Sequence, residues 1–148
     1  MSRLRSTDSI LQLPVADLIP HAKPMILVDK LTNWGENFAE CRVNHSHDNG
    51  FWDEQGRIPA YVGIEYMAQT ISVYSGILST LAGNPVKVAY LLGTRLFDTN
   101  QCYMHRHQPV TVRVEELYRN EDNIAVFDCQ LSGEDVMMKA QLKGVQPD

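Results

Sequence analysis

Ile58-Pro-Ala-Tyr-Val-Gly-Ile-Glu65-Tyr-Met-Ala-Gln69 opens the stretch that decides the fold of this chain, a run of apolar and small residues continuing to about Leu81 without another proline. Pro59 suits the first position of a helix, where its missing N–H is no loss, and Gly83, Asn84 and Pro85 are placed to end one. Within it Ala68, Ile71, Ser72, Ser75, Gly76 and Ser79 recur at three- and four-residue spacing. They form a narrow stripe of small side chains on which a sheet can sit closely. Glu65 is the one carboxylate in the first turns of this helix. Burying an unpaired carboxylate costs several kcal/mol, on the order of the net stability of a small domain, so a Glu inside a core helix implies a use. A solvated Glu that merely favours the helix dipole is the alternative.

Outward from the helix, the chain reads as strands. Pro14 and Pro20 confine the segment between them to a helical turn, and Pro24 pushes the chain beside it into extended form. Residues 25–31 are expected as a first strand, with residues 33–37 as a turn and Phe38–Val43 pairing back. Residues 45–56, rich in Asp, Asn and Gly, form a loop. After the helix, residues 87–97, 110–118, 124–131 and 136–145 are strand candidates. Val110, Val112 and Val114 alternate with Thr111, Arg113 and Glu115, the signature of one buried and one wet face. Residues 120–123 and 132–135 are polar turns of hairpin length. The result is an α+β layout, one long helix covered by one curved antiparallel sheet of five to six strands. A single domain over residues 1–148 is expected, its first ten or so residues a flexible arm.

Composition removes several classes of function. A formal charge of −5, with no run of Lys or Arg, argues against a nucleic-acid surface. Cys41, Cys102 and Cys129 are odd in number and in no CxxC arrangement, which supports neither a disulfide framework nor a four-thiolate zinc site. His45/His47 and His105/His107 are alternate pairs with no fixed third and fourth ligand, so no metal is expected. The chain carries no Gly-x-Ser-x-Gly elbow, Walker loop or dinucleotide fingerprint, and no cofactor is expected. No secretion signal and no run long enough to span a bilayer occur, so the expected setting is the cytoplasm.

Two motifs then resemble a known family. Leu18-Ile-Pro-His-Ala-Lys-Pro-Met-Ile-Leu-Val-Asp-Lys30 is similar to the Leu-Leu-Pro-His-Arg-x-Pro-Phe-Leu-Leu-Val-Asp-Arg signature of the hotdog-fold β-hydroxyacyl-[acyl carrier protein] dehydratases. Residues 59–69 resemble that family's Met-Pro-Gly-x-x-x-x-Glu-Ala-Met-Ala-Gln helix start, and Leu92-Gly93 with Arg95-Leu-Phe97 echo a Gly-x-x-x-x-Arg-Phe strand. The resemblance covers roughly residues 15–145 and implies a hotdog fold, dimeric or hetero-oligomeric, acting on β-hydroxyacyl thioesters of acyl carrier protein. In the family a histidine on a Gly-His-Phe-Pro loop removes the α-proton and the helix acid handles the departing hydroxyl. That string is absent here, and an ungapped count back from Glu65 puts Phe51 where the histidine stands. The subgroup this most resembles is the dehydratases of aryl polyene pathways.

Elimination of water needs a base of near-neutral pKa at one carbon and an acid at the neighbouring oxygen, and an apolar channel raises a carboxyl pKa into a useful range. The resemblance assigns the acid to Glu65. A phenylalanine accepts no proton, so the base is His47 on a rebuilt loop, or His45, or no histidine of this chain. By the same resemblance Ala60, at the family's glycine, offers its N–H to the thioester carbonyl, while Phe51 and Gln69 border the substrate. His21, in the N-terminal signature, reads as structural. Three functions stay open: a dehydratase, a non-catalytic hotdog subunit partnering an active one, and an acyl thioesterase using the same helix carboxylate.

Overall fold

The computed structural model describes residues 7–20, 26–45 and 51–146. Its elements in chain order are α1 (Thr7–Leu11), a 3-10 turn (Val15–Asp17), β1 (Lys30–Trp34), β2 (Phe38–Val43), β3 (Arg57–Pro59), α2 (Val62–Leu81), β4 (Tyr90–Thr99), β5 (Tyr103–His105), β6 (Val110–Arg119), β7 (Ile124–Ser132) and β8 (Met137–Val145). Six strands form one antiparallel sheet in the order β1-β2-β6-β7-β8-β4, and α2 packs across β2, β6, β7 and β8. This is the expected α+β architecture of a sheet laid over one long helix.

Period-two patterning builds the sheet. Val110, Val112 and Val114 are buried while Thr111, Arg113 and Glu115 are not, and on β7 Ala125, Phe127, Cys129 and Leu131 repeat the pattern. The helix buries thirteen residues, from Val62 to Ile77, which is why its sequence is apolar almost all round. It stops as its sequence requires. Gly83 takes φ 75° and donates its N–H to the Thr80 carbonyl, and the Asn84 N–H reaches the Ser79 carbonyl, a Schellman-type ending.

Three expectations are corrected. Pro59 does not begin the helix; it ends β3, opposite Tyr103 of β5 in a small two-stranded ribbon, and α2 begins at Val62. Proline tolerates the edge of so short a ribbon, and the burial of Ile58 opposite Met104 holds the chain extended there. The first strand starts later than expected, at Lys30. The Leu27 and Val28 N–H groups donate instead to the side-chain carbonyl of Gln69, at 2.7 and 3.4 Å, so this segment is tied to the helix. The strand after the helix is displaced likewise, to Tyr90–Thr99. Ile10 on α1 is completely buried. His21 and the start of the expected first strand lie outside the described residues.

Candidate active site

Tyr61, just before α2, and Glu65, in its first turn, are exposed, and from Glu65 a stripe of half-buried and buried residues, Ala68, Gln69, Ser72 and Ser75, runs toward the C-terminal half of the helix. Between this stripe and the ends of β4, β7 and β8 lies a cleft of about 160 Å³. Its apolar walls include Ile71, Leu91, Ala125 and Phe127, and its polar groups include Glu65, Arg119, Asn123 and Gln146. Glu65 therefore belongs to a core helix without being buried in the core. The desolvation cost anticipated for it does not arise in the single chain, because its side chain is exposed.

Gln69, one helical turn further on, is 3% exposed. Its side-chain carbonyl accepts the Leu27 and Val28 N–H groups while the residue lines the cleft, so it fixes the N-terminal segment against the site wall. Ala60, expected to offer its N–H to the thioester carbonyl, has that group hydrogen-bonded within the chain. Its N–H donates to the Cys102 carbonyl at 2.9 Å, a bond that extends the β3–β5 ribbon by one residue, so that donor is already engaged. Phe51 is 36% exposed and is not among the residues lining the cleft.

His45 is a buried structural residue. It is 4% exposed, at φ 54°, with Nδ1 2.9 Å from the Tyr66 hydroxyl and Nε2 3.1 Å from the Gln108 carbonyl. A carbonyl only accepts, so Nε2 carries the proton, and in the neutral ring Nδ1 accepts from Tyr66. Tyr66 stands where the family pattern has alanine. Burial, with Asp29 nearby as a smaller cause, raises its phenol well above the ordinary range. His47 lies outside the described residues. Among the described residues the cleft contains no imidazole and no thiol.

At the far end of the cleft Arg119 forms a close ion pair with Glu116, Nη2 to Oε1 at 2.6 Å, and the same oxygen accepts from the Tyr74 hydroxyl at 3.3 Å. Burial, then the Glu116 charge, pushes the Tyr74 phenol up to about 12. Sequence reasoning passed over Arg119. It sits at the end of β6 beside a polar turn, and only the β6–β7 hairpin register, pairing it with Ala125, carries it to the cleft. Among the described residues no three His, Cys, Asp or Glu side chains gather as a metal group, and no helix is long and apolar enough to cross a membrane.

A sheet laid over a central helix, with a carboxylate in the helix's first turn beside a cleft, is the hotdog architecture. More particularly, the chain belongs to the ApeP-like family, described as ApeP dehydratase, whose model matches residues 13–148. The dehydratase heterocomplex ApeI:P from Xenorhabdus doucetiae is similar over 92% of each chain, at 27% identity and a TM-score of 0.84. The 3-hydroxyacyl-[acyl-carrier-protein] dehydratase FabZ of Janthinobacterium sp. (strain Marseille) is 27% identical over 84 residues. That match spans about half of each protein, 53% of this chain and 54% of the relative. A hypothetical thioesterase with coenzyme A from Streptococcus pneumoniae TIGR4, 11% identical with a TM-score of 0.57 over 80% of this chain and 90% of that one, shares the fold.

Proposed function

We propose that this chain supplies the acid half of a hotdog dehydratase that eliminates water from β-hydroxyacyl thioesters carried on acyl carrier protein, the base coming from a second hotdog subunit. The observation that carries this reading is Glu65, exposed at a cleft that holds no imidazole among the described residues, with His45 engaged elsewhere. The base takes the α-proton, the C–O bond at the β-carbon breaks as the double bond forms, and the Glu65 carboxyl passes a proton to the departing hydroxyl, which leaves as water. A second subunit also has a place to bind. β4 stands at the edge of the sheet and exposes Tyr90, Leu91, Leu92 and Leu96. The membership in a family of dehydratases, and the heterocomplex formed by the similar Xenorhabdus doucetiae proteins, support the reading.

The test is turnover of a β-hydroxyacyl carrier-protein thioester by the isolated protein and by its mixture with a hotdog subunit bearing the Gly-His-Phe loop. The proposal expects an inert isolated chain and an active mixture. Activity of the isolated chain that His47→Ala abolishes assigns the base to this chain's own loop in place of the partner's. Robust activity that survives His47→Ala overturns both versions. A saturated acyl thioester run in parallel identifies a thioesterase by hydrolysis without elimination.

A further inference from the structure

Where β2 and β6 run out toward the β3–β5 ribbon, a side chain takes over from the backbone. The ladder between the two strands ends with Val43 opposite Val110. Carried on by one residue, the register sets Asn44 against Pro109, which has no N–H to give, and by two it sets His45 against Gln108. There the buried His45 ring closes the gap, its Nε2 donating to the Gln108 carbonyl at 3.1 Å. The residue holds φ 54° to do so, a conformation uncommon outside glycine. Nδ1 accepts from the Tyr66 hydroxyl at 2.9 Å and ties the same ring to α2.

The ribbon lies between this bridge and the helix acid. Beyond His45 and Gln108 the two chains pair as β3 and β5, extended by the Arg106 N–H to the Gly56 carbonyl at 2.8 Å and the Ala60 N–H to the Cys102 carbonyl at 2.9 Å. Ile58 and Met104, opposite each other, are both buried, which makes the ribbon a stiff unit. Its end leads straight into α2. The Ala60 and Tyr61 carbonyls accept from the Gly63 and Ile64 N–H groups, at 2.8 and 3.1 Å, in the turn that brings in Glu65. How the ribbon is set therefore fixes how that turn is set.

We propose that His45 is a positioning residue for Glu65: its bond to the Gln108 carbonyl, made in place of the donor that Pro109 lacks, pins the base of the β3–β5 ribbon and through the ribbon aims the first turn of α2. The inference rests on the proposed function, since it takes Glu65 to be the acid. Proton transfer needs the carboxyl within hydrogen-bond reach of the departing hydroxyl, and a displacement of about 1 Å by a change far from the chemistry can cost on the order of a hundredfold in rate. His45 itself touches no reacting atom.

Two substitutions divide the ring between its partners. Asparagine accepts a positive φ and sets its side-chain carbonyl near the place of Nδ1, so His45→Asn keeps the Tyr66 bond but is too short for Gln108. In His45→Gln the amide nitrogen stands near the place of Nε2 and keeps the Gln108 bond, at some cost from the positive φ. Turnover is measured in the full-length chain mixed with the histidine-bearing subunit, below the unfolding transition of every variant. There kcat is expected to fall roughly tenfold or more in His45→Asn with KM little changed, and to recover for the most part in His45→Gln. Amide exchange of the isolated chain reads the same bridge without chemistry: the Ala60 and Arg106 N–H groups are expected to exchange faster in His45→Asn than in His45→Gln. Tyr66→Phe weakens the fold but leaves the ring on Gln108, and it is expected to keep kcat, which separates lost stability from lost position. A natural kcat in His45→Asn, a loss as large in Tyr66→Phe, or ribbon exchange equal in the Asn and Gln variants overturns the inference while leaving Glu65 as the acid. An inert mixture of the natural chain and its partner overturns the assignment of the acid, and the inference with it.

Discussion

Glu65 and Tyr66 are neighbours in sequence and face opposite worlds, and this separates two readouts that mutagenesis usually confounds. Because Glu65 is exposed, Glu65→Gln removes the ionisation while keeping volume, and the melting temperature is expected to stay within the small range of ordinary surface changes. Turnover by the complete dehydratase is expected to fall at least roughly a hundredfold, the scale of a lost general acid. Unchanged turnover in that variant sinks the catalytic role. Tyr66→Phe is expected to do the reverse. Removing the hydroxyl from which buried His45 accepts destabilises the fold by about 1–3 kcal/mol, read from urea unfolding. A variant as stable as the natural protein shows that this bond contributes nothing net. The Glu65 motif was legible because a carboxylate in an apolar helix start is conspicuous. The role of His45 was not, because an imidazole in a polar loop looks the same whether its ring ends in a core or in a site.

At the scale of elements, the small residues of α2 do three different jobs that their spacing alone does not distinguish. Gly76 meets the backbone: a Cβ there would collide with the Leu18 carbonyl, which neither the helix nor the 3-10 turn region can yield without moving. Gly63 faces Met138, whose thioether sulfur would stand 2.7 Å from an added Cβ and is flexible enough to give. Ser72 and Ser75 face the cleft. Gly76→Ala is therefore expected to cost about 3 kcal/mol or more, at the upper end of overpacking penalties, and Gly63→Ala distinctly less, both measured by urea denaturation. Equal costs at the two sites contradict this account of the packing. The stripe was legible in the sequence, but its neighbours were not, since spacing says which residues share a face and nothing about what that face meets. Likewise β2 and the buried alternation of β6 were readable from period-two pattern, while β3 and β5, three residues each, are too short to show a period. Pro59 illustrates tertiary override: a good helix-start residue is held in a strand because its neighbours Ile58 and Ala60 bond and pack against the chain around Cys102 and Met104.

The whole molecule carries two consequences of its burial pattern, one in alkali and one in assembly. Burial pushes the Cys41 and Cys129 thiols up to about 12 from 9.0. Between those values the unfolded chain has released protons that the folded chain retains, so stability is fully present below about pH 9 and declines as pH rises toward 12. Cys41→Ala, though less stable at neutral pH, is expected to lose about 2 kcal/mol less than the natural protein between pH 9 and 10.5, and a parallel loss rules out this linkage. Assembly is a matter of the sheet's edge. β4 has a neighbour, β8, on one side only, and it exposes Tyr90 at 57%, Leu92 at 51% and Leu96 at 69%. Leu96 also takes φ 56°, rare for a bulky side chain, at a bulge between Arg95 and Asp98 that turns this apolar residue outward. An apolar edge left open pairs with other chains indiscriminately, so its presence in a stable protein implies a specific partner strand. Light scattering is expected to give a mass of at least twice the 16.8 kDa chain, either for the protein alone or when it is mixed with a histidine-bearing hotdog subunit. Leu92→Glu with Leu96→Glu places two charges on that edge and is expected to return the 16.8 kDa monomer and, with it, to abolish dehydration while leaving the unfolding midpoint of the single chain unchanged. A natural protein that is monomeric at micromolar concentration in both conditions contradicts the assembly, and a double variant that still assembles moves the interface away from β4.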